Sequence, residues 1–293
     1  MQSILFEGIA TALITPFKED GSIDLDGLKL LIDRQIENGI SAIVIAGTTG
    51  EASTLSFDEY SLLIAKSNEY INKRVPLIAG SGSNNSAHAL KLSLEAEKRG
   101  ADGLLMVTPY YNKTTQEGLL VHYNHIADRV KIPIILYNVP SRTGLGISCN
   151  TCKVLSEHPN ISAIKEASGN ISTTMDILHI APKLTLYSGN DDQLLPILAV
   201  GGKGVISVVS NVAPQETVQI YQAFKNREID KAIKAHNKLL PLMRALFRQV
   251  NPIPVKRALQ LLGLPAGSPR LPLIECDEST EKQLKEAIKK AEL

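Results

Sequence analysis

Eight short runs rich in Ile, Val and Leu recur along the chain, separated by longer amphipathic segments, and few folds accommodate that alternation. They are IATALIT from Ile9, AIVIAG from Ala42, VPLIAG from Val75, DGLLMVTP from Asp102, IPIILYN from Ile132, ISAIKEA from Ile161, LTLYSGN from Leu184 and GVISVVS from Gly204. A run that is apolar throughout belongs to a strand buried on both faces, as in a parallel sheet covered by helices. The intervening LDGLKLLIDRQIEN and FDEYSLLIAKSNEYIN have helical periodicity, with Asp24 and Ser56 placed as their N-caps. Units that start roughly 20 to 33 residues apart predict an α/β fold closed into a (β/α)8 TIM barrel, for which about 250 residues is typical. A doubly wound open sheet is the alternative.

After Pro214 the character changes. TVQIYQAFKNREIDKAIKAHNKLLPLMRALFRQV reads as two successive helices, NPIPVKRALQLLG as one entered through prolines, and STEKQLKEAIKKAEL as a charged final helix. We therefore expect a catalytic barrel over residues 1–225 and a C-terminal helical extension over 226–293, joined without a flexible linker.

The 293 residues carry a net charge of +1 with no basic stripe, so nucleic acid is not an expected partner. No apolar run approaches the length that spans a bilayer, and the opening residues lack the basic n-region of a secretory signal. With 3 cysteines, an odd count, the chain fits a reducing compartment, and a cytoplasmic location is expected.

In a barrel, chemistry sits where strands end and the following loops begin. Lys165 lies inside the sixth run, where burying an ammonium costs several kcal/mol unless it is paired or gives up its proton. Either its head snorkels to water, or burial keeps the amine neutral so that it can attack a carbonyl and form a Schiff base. Tyr137 ends the preceding run, where its phenol could relay protons or simply pack. GTTGE, residues 47–51, offers the adjacent hydroxyls of Thr48 and Thr49 and backbone N–H groups in a turn entering a helix. That suits a carboxylate, although threonines capping a helix would look the same. Arg142, in the loop NVPSRTGLG, could clamp a second carboxylate or pair with a surface acid.

Other signals are weak. Cys149 and Cys152 form a C-x-x-C, but Cys276 alone cannot complete a zinc site, and the segment opens a helix. The 6 histidines form no metal-binding spacing, so no metal is expected. The glycines at 201, 202 and 204 precede the last strand, away from the chemistry.

GTTGE, PYYNK, YNVPSRTG, IKEASGN, YSGND and NPIPVK resemble, in order and over essentially the whole sequence, the dihydrodipicolinate synthase family of class I pyruvate-dependent aldolases and lyases. The resemblance implies a (β/α)8 barrel with C-terminal helices, assembled as a homotetramer of two tight dimers, and no cofactor. It makes Lys165 the Schiff-base lysine for pyruvate. Tyr137, Thr49 and Tyr111 become a proton relay, with Tyr111 reaching into the neighbouring subunit. Thr48 and Thr49 would hold the pyruvate carboxylate, Arg142 that of L-aspartate 4-semialdehyde, and the backbone at Gly189 and Ile206 would line the site.

The resemblance also implies the alternatives. N-acetylneuraminate lyase and keto-deoxy sugar acid aldolases are similar, but typically read GSTGE and lack this arginine; a noncatalytic barrel used for binding is the reading from another class. Some family members bind lysine as an inhibitor at the dimer interface. Ser53, Asn84 and Tyr110 match that site, but His88 stands where responsive members carry a glutamate and Tyr60 where many carry a histidine. Without that carboxylate the ligand's ammonium loses a charge-assisted partner, so weak or absent feedback is expected.

Overall fold

The computed structural model describes residues 4–293, so the first three positions of the expected barrel segment lie outside the described residues. The strands are β1 Gly8–Ala12, β2 Ala42–Ile45, β3 Leu77–Gly80, β4 Gly103–Val107, β5 Ile134–Asn138, β6 Ile161–Glu166, β7 Thr185–Ser188 and β8 Gly204–Ser207. They pair in sequence order and close on themselves, β8 lying parallel to β1 in the register Gly8 to Gly204. Each strand coincides with one of the apolar runs, and the closed barrel is the predicted architecture.

Although the strands are buried on both faces, side chains still alternate between them. On β2, Ile43 and Ile45 join the shell between sheet and helices, whereas Ala42 and Val44 join the smaller cluster inside the barrel. Ala10, Ile78, Leu105, Ile135 and Ala163 fill that interior with them. At the N-terminal mouth Phe6 stacks on Tyr187 with ring centroids 4.1 Å apart, and the Tyr187 hydroxyl donates to the Phe6 carbonyl at 2.7 Å. The barrel is thus plugged below and filled at its middle, leaving the opposite end for a site.

Helix starts follow the local signals. Asp24 caps helix Leu25–Glu37 by accepting from Gly27 N at 3.0 Å. Ser56 and Glu59 form a reciprocal capping box at helix Phe57–Ile71. Cys149 opens helix Cys149–Leu155, as expected.

Three loops differ from the sequence reading. GTTGE does not feed a helix directly: Glu51 takes a left-handed φ of 55°, the 3-10 turn Ala52–Thr54 follows, and the helix waits for its cap at Ser56. The segment holding Arg142 is not loop throughout but contains the helical turn Pro140–Thr143, begun by a proline whose φ suits a first turn. The last run stops being strand at Ser207, because Asp191 accepts from the N–H groups of Val208 and Val209 and Ser207 Oγ accepts from Ser210 N. These side-chain acceptors replace the strand ladder with the 3-10 turn Val209–Asn211.

Helices Pro214–Lys225, Ile229–Ala245, Ile253–Leu261 and Glu278–Ala291 complete the fold. Helix Ile229–Ala245 packs on both Pro214–Lys225 and Glu278–Ala291. Among the described residues no helix is long and apolar enough to cross a membrane.

Candidate active site

Strand parity decides where Lys165 faces. Ala163, two positions earlier on β6, belongs to the barrel interior, so Lys165 points there too. It is paired in register with Tyr137 on β5 and Tyr187 on β7, and only 5% of it is exposed. The amine does not snorkel. Nζ lies 4.3 Å from the centroid of the Tyr137 ring, and Tyr137 is itself buried. Gly189, after β7, leaves room for the lysine arm: a Cβ there would stand 3.1 Å from Lys165 Cε and 2.5 Å from Ala167 Cβ.

A cavity of about 570 Å³ opens over the lysine, with Thr48, Thr49, Tyr137, Arg142, Gly189 and Asn251 in its wall. Thr48 is exposed at the edge while Thr49 is buried, its Oγ1 accepting from Asn251 Nδ2 at 2.9 Å. The loop carrying them approaches β3 so closely that a Cβ on Gly80 would lie 2.0 Å from the Ala46 carbonyl oxygen. Only glycine permits that contact. Arg142 is exposed on its helical turn and lines the same cavity.

Two predicted residues stand apart from this set. The Ile206 side chain is fully buried in the interior packing among Ala10 and Ala163, so only its backbone is left for the expected lining role, and Val208, two residues on, lines the cavity. Tyr111, at a φ of 66°, is 92% exposed and outside the cavity wall.

Two buried carboxylates flank the site. Glu166 accepts from Asn138 Nδ2 at 2.7 Å and Ser168 N at 2.6 Å. Burial pushes the Asp191 carboxyl above the usual range, opposed by its hydrogen bonds from Ser207, Val209 and Val208 and by the charge of Lys165.

A second cavity, of about 360 Å³, adjoins the first and shares Thr48, Tyr137 and Arg142 with it. Ser53, His88, Tyr110 and Tyr60 line it, whereas Asn84 does not; the Asn84 carbonyl accepts from Asn112 Nδ2 at 3.0 Å. Tyr60 is buried, which pushes its phenol up, and it donates to the Leu92 carbonyl at 3.3 Å.

Burial raises the thiol pKa of both Cys149 and Cys152, the opposite of what a reactive or metal-binding thiolate needs. Among the described residues no group of three or more His, Cys, Asp or Glu side chains could hold a metal ion.

Asn251 and the buried Glu51 and Lys256 were not singled out as site residues from sequence. The motif NPIPVK contains two of them, yet nothing in its local pattern names a partner more than two hundred residues upstream. Chemically, a buried primary amine beside hydroxyls and a guanidinium can receive an oxo acid and present a nitrogen nucleophile to its carbonyl.

A model of the Dihydrodipicolinate synthetase family matches residues 5–291. The 4-hydroxy-tetrahydrodipicolinate synthase of Caldicellulosiruptor bescii is 52% identical over 284 residues, covering 97% of this chain and 96% of that protein. The crystal structure of dihydrodipicolinate synthase from Thermotoga maritima superposes with a TM-score of 0.96 at 41% identity, covering 99% of each protein. The synthase from Cyanidioschyzon merolae with lysine bound gives a TM-score of 0.96 at 40% identity, covering 99% of this chain and 100% of that one.

Proposed function

Because the chain belongs to the dihydrodipicolinate synthetase family, we propose that it condenses pyruvate with L-aspartate 4-semialdehyde through a Schiff base on Lys165, as a 4-hydroxy-tetrahydrodipicolinate synthase of lysine biosynthesis. The observation that carries this reading is the amine of Lys165, 5% exposed inside a closed barrel, beneath a cavity walled by Thr48, Thr49 and Arg142.

The unprotonated amine adds to the keto carbon of pyruvate, and loss of water leaves a protonated imine. That imine acidifies the methyl group, which gives up a proton to form an enamine. The enamine carbon attacks the aldehyde, making the carbon–carbon bond. The second substrate's own amine then adds to the imine carbon, closes the ring and expels Lys165. Lysine itself is the electron sink, so the scheme calls on no cofactor. Thr48 and Thr49 hold the pyruvate carboxylate, Arg142 takes that of the aldehyde, and Gly189 lines the passage between them. Tyr137 and Thr49 relay protons, with Tyr111 supplied by the neighbouring subunit. The near-complete exposure of Tyr111 supports a neighbouring subunit packed against it, and on this reading the enzyme is a homotetramer of tight dimers that works in the cytoplasm.

Incubation with pyruvate and aspartate semialdehyde, against pyruvate and N-acetylmannosamine, tests the choice of second substrate. Turnover of the first pair alone is expected; turnover of the second alone would assign a sugar-acid lyase, and turnover of neither a noncatalytic barrel. Borohydride should trap one pyruvate adduct on the native protein and none on Lys165→Ala, whose activity should fall by ~10⁴-fold or more, the scale seen when a covalent nucleophile is removed.

A further inference from the structure

We infer that Glu166 and Asn138 form a brace that fixes the turn carrying Arg142 against the strand carrying Lys165, so that both are positioning residues for the carbon–carbon bond-forming step. This rests on the reading that Lys165 holds pyruvate and Arg142 receives the second substrate.

The brace lies on the outer face of the barrel, one residue beyond Tyr137 and Lys165. Those two are in register and turn inward, so the next pair, Asn138 and Glu166, is also in register and turns outward, and both residues are buried. Asn138 Nδ2 donates to Glu166 Oε2 at 2.7 Å, and Asn138 Oδ1 accepts from Ile147 N at 3.0 Å. Ser168 N donates to the other carboxyl oxygen, Oε1, at 2.6 Å. The amide can face only one way, because the backbone N–H of Ile147 can only donate and must meet an oxygen. All four side-chain heteroatoms of the pair are thereby used.

Arg142 lies inside the loop that these bonds close. Asn138 begins it and Ile147 ends it, with the turn Pro140–Thr143 between them. On the returning arm, Thr143 Oγ1 and Thr108 Oγ1 both donate to the Leu145 carbonyl, at 2.8 and 3.2 Å. Asn138 therefore shuts the loop, and Glu166, next to Lys165 in the chain, holds Asn138. The Glu166 carbonyl also accepts from Gly189 N at 2.7 Å, which ties a glycine of the cavity wall to the same point. A buried polar network satisfied throughout rigidifies what it joins.

The test exchanges the two groups in the full-length protein. Glu166→Gln leaves one oxygen for two donors, so either Ser168 N or Asn138 Nδ2 is left facing an NH2. Asn138→Asp sets two buried carboxyl groups against each other. The double variant Asn138→Asp with Glu166→Gln reverses the bond: the new aspartate accepts from Ile147 N and from the new glutamine, whose oxygen stays free for Ser168 N. Each single variant should lower kcat/KM for aspartate semialdehyde about 10- to 100-fold, the cost of a small misplacement at a reacting centre. Borohydride should still trap pyruvate on both. The double variant should recover to within about threefold of the native value, because the two losses share one hydrogen bond. A merely structural role would lower the thermal midpoint of the single variants and leave the kinetics of the folded protein unchanged. A kcat/KM within about twofold of native for folded Glu166→Gln, or a folded double variant as slow as Glu166→Gln, therefore overturns the inference. If Glu166→Gln does not fold, Asn138→Asp takes its place under the same criteria. If neither folds, the double variant must fold and reach that threefold range, and its failure overturns the inference. Absence of a trapped adduct on the native protein would instead remove the reading of Lys165, and the inference with it.

Discussion

The carboxylate of Glu51 and the ammonium of Lys256 meet at 2.5 Å with each side chain only 1% exposed. Lys256 Nζ also donates to the Ser268 carbonyl at 3.2 Å and lies 4.1 Å above the Phe17 ring, while Glu51 Oε2 accepts from Arg270 N at 2.8 Å. Glu51 closes the GTTGE loop and Lys256 closes NPIPVK, so the pair ties the C-terminal helices to the loop that carries Thr48 and Thr49. A buried pair contributes little over an apolar replacement, but removing one partner strands a charge.

Glu51→Gln should therefore cost about 3–5 kcal/mol of stability, because it leaves the Lys256 ammonium buried alone. In the native protein burial lowers the Lys256 pKa while Glu51 opposes the fall. Without Glu51 the main opposition is gone and the lowering by burial dominates. Between that depressed folded value and the ordinary lysine value the unfolded state binds the extra proton, so the variant's stability rises with pH. Thermal midpoints from neutral to alkaline pH should show its deficit shrinking; a deficit independent of pH would contradict the account.

Glu59 and Arg270 give a slope of the same sign, but in the acid range. Hydrogen bonds from Arg270 hold the Glu59 carboxyl at about 2, below its usual 4.5. A depressed carboxylate stabilises the fold above its unfolded pKa, and the gain disappears as pH falls from about 4.5 toward about 2. The pair is partly exposed, so native and Glu59→Gln proteins should differ by about 1 kcal/mol at neutral pH and converge across that window.

Arg142→Ala should raise KM for aspartate semialdehyde about 10- to 100-fold, the worth of a lost charge-assisted hydrogen bond, and KM for pyruvate far less. Steady-state kinetics with each substrate varied separately would show this split. An equal change in both would move Arg142 from recognising the second substrate to holding the loop.

Lysine at micromolar concentration should leave the rate unchanged, because the second cavity presents His88 and Tyr60 and no carboxylate for the ligand's ammonium. His88→Glu should create inhibition, detectable as a fall in rate with added lysine and as binding by calorimetry. Micromolar inhibition of the native protein would refute the assignment.

Much of the fold was legible from short-range pattern. The strands, the caps at Asp24 and Ser56 and the C-terminal helices depend on residues a few positions apart, so periodicity and capping chemistry reveal them. The misread loops share one cause: Glu51 left-handed, Pro140 starting a turn, and Asp191 taking N–H groups from Val208 and Val209 are departures from local preference. Among candidate site residues, Lys165, Tyr137, Thr49 and Arg142 lay at strand ends or in the loops after them and were nameable, whereas the burial of the Ile206 side chain in the interior packing was not visible locally.

The sequence by itself determined how many strands there are, where each lies along the chain, and that a lysine sits on the one that follows a strand ending in tyrosine. Only the tertiary structure decided that Lys165 shares a register line with Tyr137, that the second threonine of GTTGE takes its hydrogen bond from Asn251, and that Glu51 neutralises Lys256. The physical reason is range. Strand and helix propensity act over a turn or two, but partners of buried polar groups are chosen by barrel closure and helix docking, which bring together segments that carry no mark of one another.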